Sequence, residues 1–261
     1  MNAQNVMRQN LISSFLGDGL MVIREGFAEN NGINIHYMDC NPDNTLATPL
    51  LICPGLSEPA EDYVKFASSL SPRRVVILSF RGRGNSDSPQ NGYSLEHHIS
   101  DVEAVVKTIV LQNFCLMGYS RGVSYALGFG LRHPNLLKGF ILEEYPAEHK
   151  RMPKGWASQY LNFLRRTSGF ERIRPHAITG IEQESNQVYF WKDLNKINCP
   201  VLLMRGGGEE SLLSLEQVDM YLKQWEHVKV EVFQNAGHDI QTDDYGKFVD
   251  RIKDFLGDLD K

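Results

Sequence analysis

Metal-ligand spacing is missing from this chain: no His-x-x-x-His and no Cys-x-x-Cys occurs. The adjacent pair His97-His98, read within a helix start, cannot easily turn both rings onto one ion, so metal catalysis has no support. Phosphate-cradling loops are missing too. Gly206-Gly207-Gly208 lacks the Lys and Ser/Thr of a P-loop, and Gly82-x-Gly84 lacks the third glycine of a dinucleotide fingerprint, so no cofactor is expected. Cysteine is scarce: Cys40, Cys53, Cys115 and Cys199 lie far apart, three of them in or beside apolar runs, as free small hydrophobes do in a reducing, cytoplasmic setting. Charge of one sign is also in short supply. With 27 Lys and Arg against 32 Asp and Glu, the net charge is −5 and the basic residues form no stripe, which argues against nucleic acid or an anionic membrane as partner. No apolar run is long enough to span a bilayer, and Met1 to Leu20, with Arg8 as its one basic residue and Ser13, Ser14 and Asp18 interrupting it, is unlike a secretory segment. A small-molecule partner is the expectation that remains, with the oligomeric state left open.

What the chain does contain is an alternation. Its 261 residues suffice for one large domain, of a size that buries roughly 75% of the surface an unfolded chain exposes. Runs rich in Val, Ile, Leu and Phe at Leu50 to Cys53, Val75 to Phe80, Phe114 to Gly118, Phe140 to Glu143, Val201 to Arg205 and Val228 to Phe233 read as short buried strands. Val22 to Ala28 and Ile33 to Cys40 flank Asn30-Asn31-Gly32, an antiparallel hairpin signal. Between the strands, apolar residues at three- and four-residue spacing predict helices at Glu61 to Leu70, His98 to Val110, Arg121 to Arg132, Leu215 to Gln224 and Tyr245 to Leu256. The expectation is an α/β fold: a mostly parallel eight-stranded sheet with helices on both faces, formed by residues 21–146 and 198–261. Residues 147–197 break the alternation and read as an inserted helical cap. Residues 1–20 read as a loosely docked extension, with a short amphipathic helix from Asn2 to Phe15 as the alternative.

The chemistry gathers at Gly118-Tyr119-Ser120-Arg121-Gly122, between a strand-like run and a helical one. A sharp strand-to-helix turn there lifts Ser120 above the sheet edge, and the two glycines admit close backbone neighbours. A hydroxyl needs a base. His36, His97, His98, His133, His149, His176 and His227 lie on strands, helix starts or polar loops, whereas His238 follows the strand Val228 to Phe233 on a loop at the carboxyl edge, where ligands collect in open α/β sheets.

With Ser120 ahead of His238, the chain resembles the α/β-hydrolase superfamily, in its serine-nucleophile branch with a small helical cap, from about Met21 to Leu256. Cys53-Pro54-Gly55-Leu56 is similar to the family's oxyanion loop, with Pro54 where a His usually stands. The resemblance implies an oxyanion hole from the N–H groups of Leu56 and Arg121. Phe80-Arg81-Gly82-Arg83-Gly84-Asn85-Ser86 is similar to the family's structural Arg-Gly-x-Gly-x-Ser turn, with Ser79 replacing its Asp, and Arg81 a possible substrate contact. Counting along Pro200 to Gly208 places Glu209 where the family's orienting carboxylate belongs. Glu210 is one step on, and Glu143 or Glu144 at the end of the preceding core strand are the alternatives. A Ser at the elbow separates the chain from the haloalkane dehalogenases and epoxide hydrolases, which attack with a carboxylate.

These readings imply a serine hydrolase that cleaves a small ester, thioester or lactone through an acyl-enzyme on Ser120, with Tyr119 and Trp191 expected to bind substrate. Cap aromatics such as Trp156, Tyr160, Phe163, Tyr189 and Phe190 either line the pocket or hold the cap to the body. The alternatives are a C–C hydrolase or lyase on the same residues, and a ligand receptor with little turnover.

Overall fold

The computed structural model describes residues 10–16, 19–167 and 169–261. Its strands in chain order are β1 Asn10–Leu16, β2 Gly19–Asn30, β3 Ile33–Cys40, β4 Leu50–Cys53, β5 Val75–Leu78, β6 Phe114–Tyr119, β7 Leu137–Glu143, β8 Glu148–His149, β9 Val188–Tyr189, β10 Val201–Gly206 and β11 Val228–Phe233. The helices are α1 Val64–Ser69, α2 Leu95–Thr108, α3 Gly122–Arg132, α4 Trp156–Thr167, α5 Pro175–Glu184, α6 Leu215–Gln224, α7 Ile240–Asp243 and α8 Tyr245–Leu259.

Nine strands form one sheet in the order β1-β2-β3-β5-β4-β6-β7-β10-β11, parallel from β5 to β11 and antiparallel from β1 to β5. The eight expected strands are joined by β1, which pairs along β2 from Asn10↔Glu25 to Leu16↔Gly19. This corrects both readings of the extension over Asn10–Leu16: the open edge of β2 satisfies the ladder hydrogen bonds of that segment, and pairing overrides a weak helical pattern. The part of the amphipathic-helix reading before Asn10 lies outside the described residues. The β2–β3 hairpin turns on Asn31 and Gly32, both at positive φ (52° and 85°), as its Asn-Gly pair implied.

Alternate residues of each parallel strand feed opposite faces. Leu51, Val76, Leu78, Leu116 and Leu203 pack on one side beneath α2, α3 and α6, whereas Leu50, Val75, Ile77, Met117 and Leu202 pack on the other beneath α1 and α8. Burial of an aromatic such as Phe248 on α8 contributes about 1.5–3 kcal/mol. Among the described residues, three helix starts are capped by side chains: Ser94 accepts from the N–H of His97 on α2, Ser214 and Gln217 form a reciprocal capping box on α6, and Asp239 accepts from the N–H of Thr242 on α7. α3 has no side-chain cap, so its N-terminus is left open beside Ser120.

Residues 147–197 hold α4, α5 and the small β8–β9 pair. Ala157, Leu164, Ile173, Ala177, Ile178 and Ile181 form a separate apolar cluster completed by Tyr93 of the body. Among the described residues, no helix is long and apolar enough to cross a membrane.

Candidate active site

The carboxyl ends of β4, β6, β7 and β10, with the loop after β11, meet at one edge of the sheet. Ser120 follows β6 at φ +50°, its N–H donating to Glu143 O (2.9 Å) and its carbonyl accepting from Val123 N (2.9 Å). That left-handed conformation turns the hydroxyl out of the strand line. The flanking glycines are dictated by contact: a Cβ on Gly122 would lie 2.3 Å from the carbonyl oxygens of Cys53 and Pro54, and one on Gly118 would lie 2.7 Å from Val123 Cα. The elbow is thereby pressed against the Pro54-Gly55-Leu56 loop. Among the described residues, the N–H groups of Leu56 and Arg121 donate to no protein acceptor.

His238 presents Nε2 to Ser120 Oγ at 3.0 Å and Nδ1 to Glu144 Oε2 at 3.3 Å. Tyr119 supports the imidazole: its ring stacks on His238 with centroids 5.2 Å apart, and its hydroxyl donates to the His238 carbonyl at 3.4 Å. This buried ring braces His238, and burial raises its phenol far above the ordinary range. The Gly206-Gly207-Gly208 run has a steric reason. A Cβ on Gly206 would lie 2.0 Å from Gly237 O and one on Gly207 2.7 Å from Gln234 Cα, so these glycines let the loop carrying His238 close onto β10.

The structure places Glu144, not Glu209, against the imidazole. Glu144 follows β7 at φ +57° and is fully buried. Its Oε1 accepts from Gly206 N (2.6 Å) and Ser211 Oγ (2.8 Å), and its Oε2 from Leu212 N (2.9 Å) besides His238. The loop after β10 thus wraps donors around a carboxylate from the neighbouring strand and turns its own Glu209 and Glu210 out to solvent. Four hydrogen bonds fix the carboxyl group in the place from which it can orient an imidazole.

Glu143, one residue earlier, points elsewhere. It is fully buried, with Oε2 accepting from Gln241 Nε2 (3.1 Å) and Oε1 without a partner among the described residues. Burial, reinforced by the charges of Glu58, Glu144 and Asp239, pushes its pKa well above the carboxylate range despite the Gln241 hydrogen bond. A carboxyl with a raised folded-state pKa contributes stability that is full below its unfolded value, about 4.5, and lost as pH rises towards the folded value. We therefore expect Glu143→Gln to gain on wild type in urea unfolding free energy from about pH 5 to about pH 9. A gap that stays constant over that range contradicts a buried neutral Glu143.

Other expected contacts fall differently. Arg81 is committed to Asp101 and to Gly92 O and is unavailable to substrate. The ring of Trp191 meets Tyr221 edge-on at 4.9 Å, because its short helical turn docks onto α6. The Arg121 side chain is buried against Tyr125, Lys150 O and His149, which anchors the start of the cap and leaves only its backbone facing the elbow. Burial and the Arg121 charge lower His149 to about 2, so the ring is neutral. Tyr160 of α4 donates to Ser57 Oγ at 2.9 Å, joining the cap to the loop that carries Leu56. Phe163 and Tyr189 are exposed, and Phe190 is buried.

Residues 48–180, just over half the chain, match the family model for the alpha/beta hydrolase fold. The chain belongs to the alpha/beta hydrolase family. A proline iminopeptidase of Saccharolobus solfataricus is 24% identical over 90% of this chain and 92% of its own length. An N-formylmaleamate deformylase of Pseudomonas putida is 24% identical over 88% and 96%. The esterase RhEst1 of a Rhodococcus species superposes with a TM-score of 0.75 over 91% of this alpha/beta hydrolase and 99% of its own chain, at 18% identity. The fold class expected from the strand–helix alternation is therefore the one observed.

Proposed function

We propose that this alpha/beta hydrolase is a cofactor-free serine hydrolase acting on small carboxylic esters, thioesters or lactones. The observation that carries the reading is the unbroken line from Ser120 Oγ through His238 to Glu144 Oε2. His238 Nε2 takes the Ser120 proton as Oγ attacks the carbonyl carbon, and Glu144 holds Nδ1–H and stabilises the imidazolium. The oxyanion rests on the N–H groups of Leu56 and Arg121, at the open N-terminus of α3. The leaving group departs with the proton from His238. Water, deprotonated by the same imidazole, then attacks the acyl-enzyme and releases the acid. The iminopeptidase and the deformylase among the relatives bring amides into the substrate panel.

The test is intact-mass analysis and peptide mapping after treatment with a small fluorophosphonate, with Ser120→Ala and His238→Ala alongside. The expected result is one phosphonyl group on Ser120 of wild type and none in either variant. An adduct accompanied by turnover of a vinylogous diketone and none of any ester favours carbon–carbon cleavage. An unlabelled, folded wild type overturns the serine reading and favours a ligand receptor.

A further inference from the structure

Arg83 lies in the turn after β5 and is completely buried, yet among the described residues no carboxylate forms an ion pair with it. Its neighbour Arg81 is matched by Asp101 at 2.6 Å. The partners of Arg83 are neutral. Nε donates to Leu56 O at 2.9 Å, and Nη1 donates to Arg81 O at 2.6 Å and to His98 Nε2 at 2.9 Å. His98 Nδ1 faces Ser94 O at 2.7 Å, which makes Nδ1 the protonated nitrogen and Nε2 the acceptor. Burial and the nearby guanidinium charges hold His98 well below its ordinary pKa, in keeping with this neutral tautomer. Nη2 has no acceptor among the described residues. A buried cation with neutral partners is costly, and a hydrocarbon side chain of similar length would fill the same space without that cost.

What the guanidinium holds gives it a use. Leu56 is the residue whose N–H has no acceptor among the described residues and which the proposed mechanism assigns to the oxyanion. One residue before it, Gly55 N donates to Glu58 Oε2 at 2.8 Å, and that oxygen is itself fixed by the Tyr63 hydroxyl at 2.6 Å. The Gly55–Leu56 peptide, which carries the Leu56 N–H, is planar and is pinned on one flank by Glu58 and on the other by Arg83. Arg83 is itself tied to the cap by backbone bonds on both sides, Gly84 N to Arg172 O and Arg174 N to Gly82 O.

We propose that Arg83 is a positioning residue of the oxyanion hole: it holds the Leu56 carbonyl so that the Leu56 N–H meets the developing oxyanion, and its unmatched charge favours negative charge there. This rests on the serine-hydrolase reading above. Preorganised donors of this kind act on the transition state and leave ground-state binding largely untouched.

The experiment compares wild type, Arg83→Met and Arg83→Lys for p-nitrophenyl acetate hydrolysis, rate of phosphonylation, and affinity for 3-octylthio-1,1,1-trifluoropropan-2-one, whose serine adduct carries an oxyanion. In Arg83→Met, kcat is expected to fall on the order of 10²-fold with KM changed less than about 3-fold, and trifluoroketone affinity to fall with it. Arg83→Lys keeps the charge without the fork and recovers part of the loss. If the Met variant does not fold, Arg83→Lys is measured in its place, and with ¹⁵N-labelled leucine the Leu56 amide proton, expected to move downfield when the trifluoroketone adduct forms in wild type, is expected to move less in Arg83→Lys. Unchanged phosphonylation rate and trifluoroketone affinity in a folded variant overturns the proposal for Arg83 alone, whereas a Leu56 amide unmoved by the adduct overturns it together with the place of Leu56 in the oxyanion hole. An unlabelled wild type overturns the serine reading instead.

Discussion

Glu144→Gln is expected to lower kcat for ester hydrolysis on the order of 10⁴-fold, whereas Glu209→Gln stays within about 2-fold of wild type. A carboxylate at Glu144 selects the His238 tautomer with the proton on Nδ1 and leaves Nε2 free to accept from Ser120. A carboxamide there can present its NH₂ to Nδ1, which favours the opposite tautomer and blocks the base. It also turns a donor towards one of the N–H groups of Gly206 or Leu212 that now donate to Glu144, so part of the effect reaches the loop. Steady-state kinetics and the rate of Ser120 phosphonylation should fall together, and thermal unfolding separates the loss from global instability. If Glu209→Gln proves the damaging substitution and Glu144→Gln the silent one, the assignment of the orienting carboxylate is wrong.

The largest expected stability effect belongs to a different buried carboxylate. Asp101 on α2 is fully buried and receives Arg81 through Nε (3.0 Å), Nη2 (2.6 Å) and the backbone N–H (3.2 Å), as well as Asn30 Nδ2 (2.8 Å) from the β2–β3 hairpin. Asp101→Asn leaves the Arg81 guanidinium buried without its counterion, at a cost of about 3–5 kcal/mol. An exposed pair such as Lys196–Asp193, by contrast, is worth about 0–1 kcal/mol. Urea titration reads the difference directly. Replacing both Arg81 and Asp101 with apolar residues should recover much of the loss, because no unpaired charge then remains. A cost below about 1 kcal/mol for Asp101→Asn alone means that water or another group compensates Arg81.

The parts of the site legible beforehand share one property, that neighbours along the chain specify them. Gly118-Tyr119-Ser120-Arg121-Gly122 sits between apolar β6 and α3, and contacts at 2.3–2.7 Å explain both glycines. His238 was set apart from seven other histidines by its place after the last strand. Glu144 was only one of four candidates, because counting along the loop after β10 presumed that the loop supplies its own acid. Nothing local reveals that Gly206 N, Ser211 Oγ and Leu212 N all aim at one oxygen pair on the adjacent strand. Arg83 went unread because an Arg between two glycines in a turn motif looks the same whether its side chain is solvated or buried against Leu56 O.

By itself, then, the sequence determined the alternating α/β architecture, the elbow and the edge of the sheet at which Ser120 and His238 stand, since hydrophobic period, turn residues and strand-to-helix order are properties of short stretches. Only the tertiary structure decided which carboxylate faces His238 from 94 residues away, that Asn10–Leu16 adds a strand at the open edge of β2, and that Arg83 reaches the oxyanion loop. Each of these depends on which strand ends and loops become neighbours once the sheet is assembled, and the placing of buried donors opposite acceptors across that distance is a product of packing.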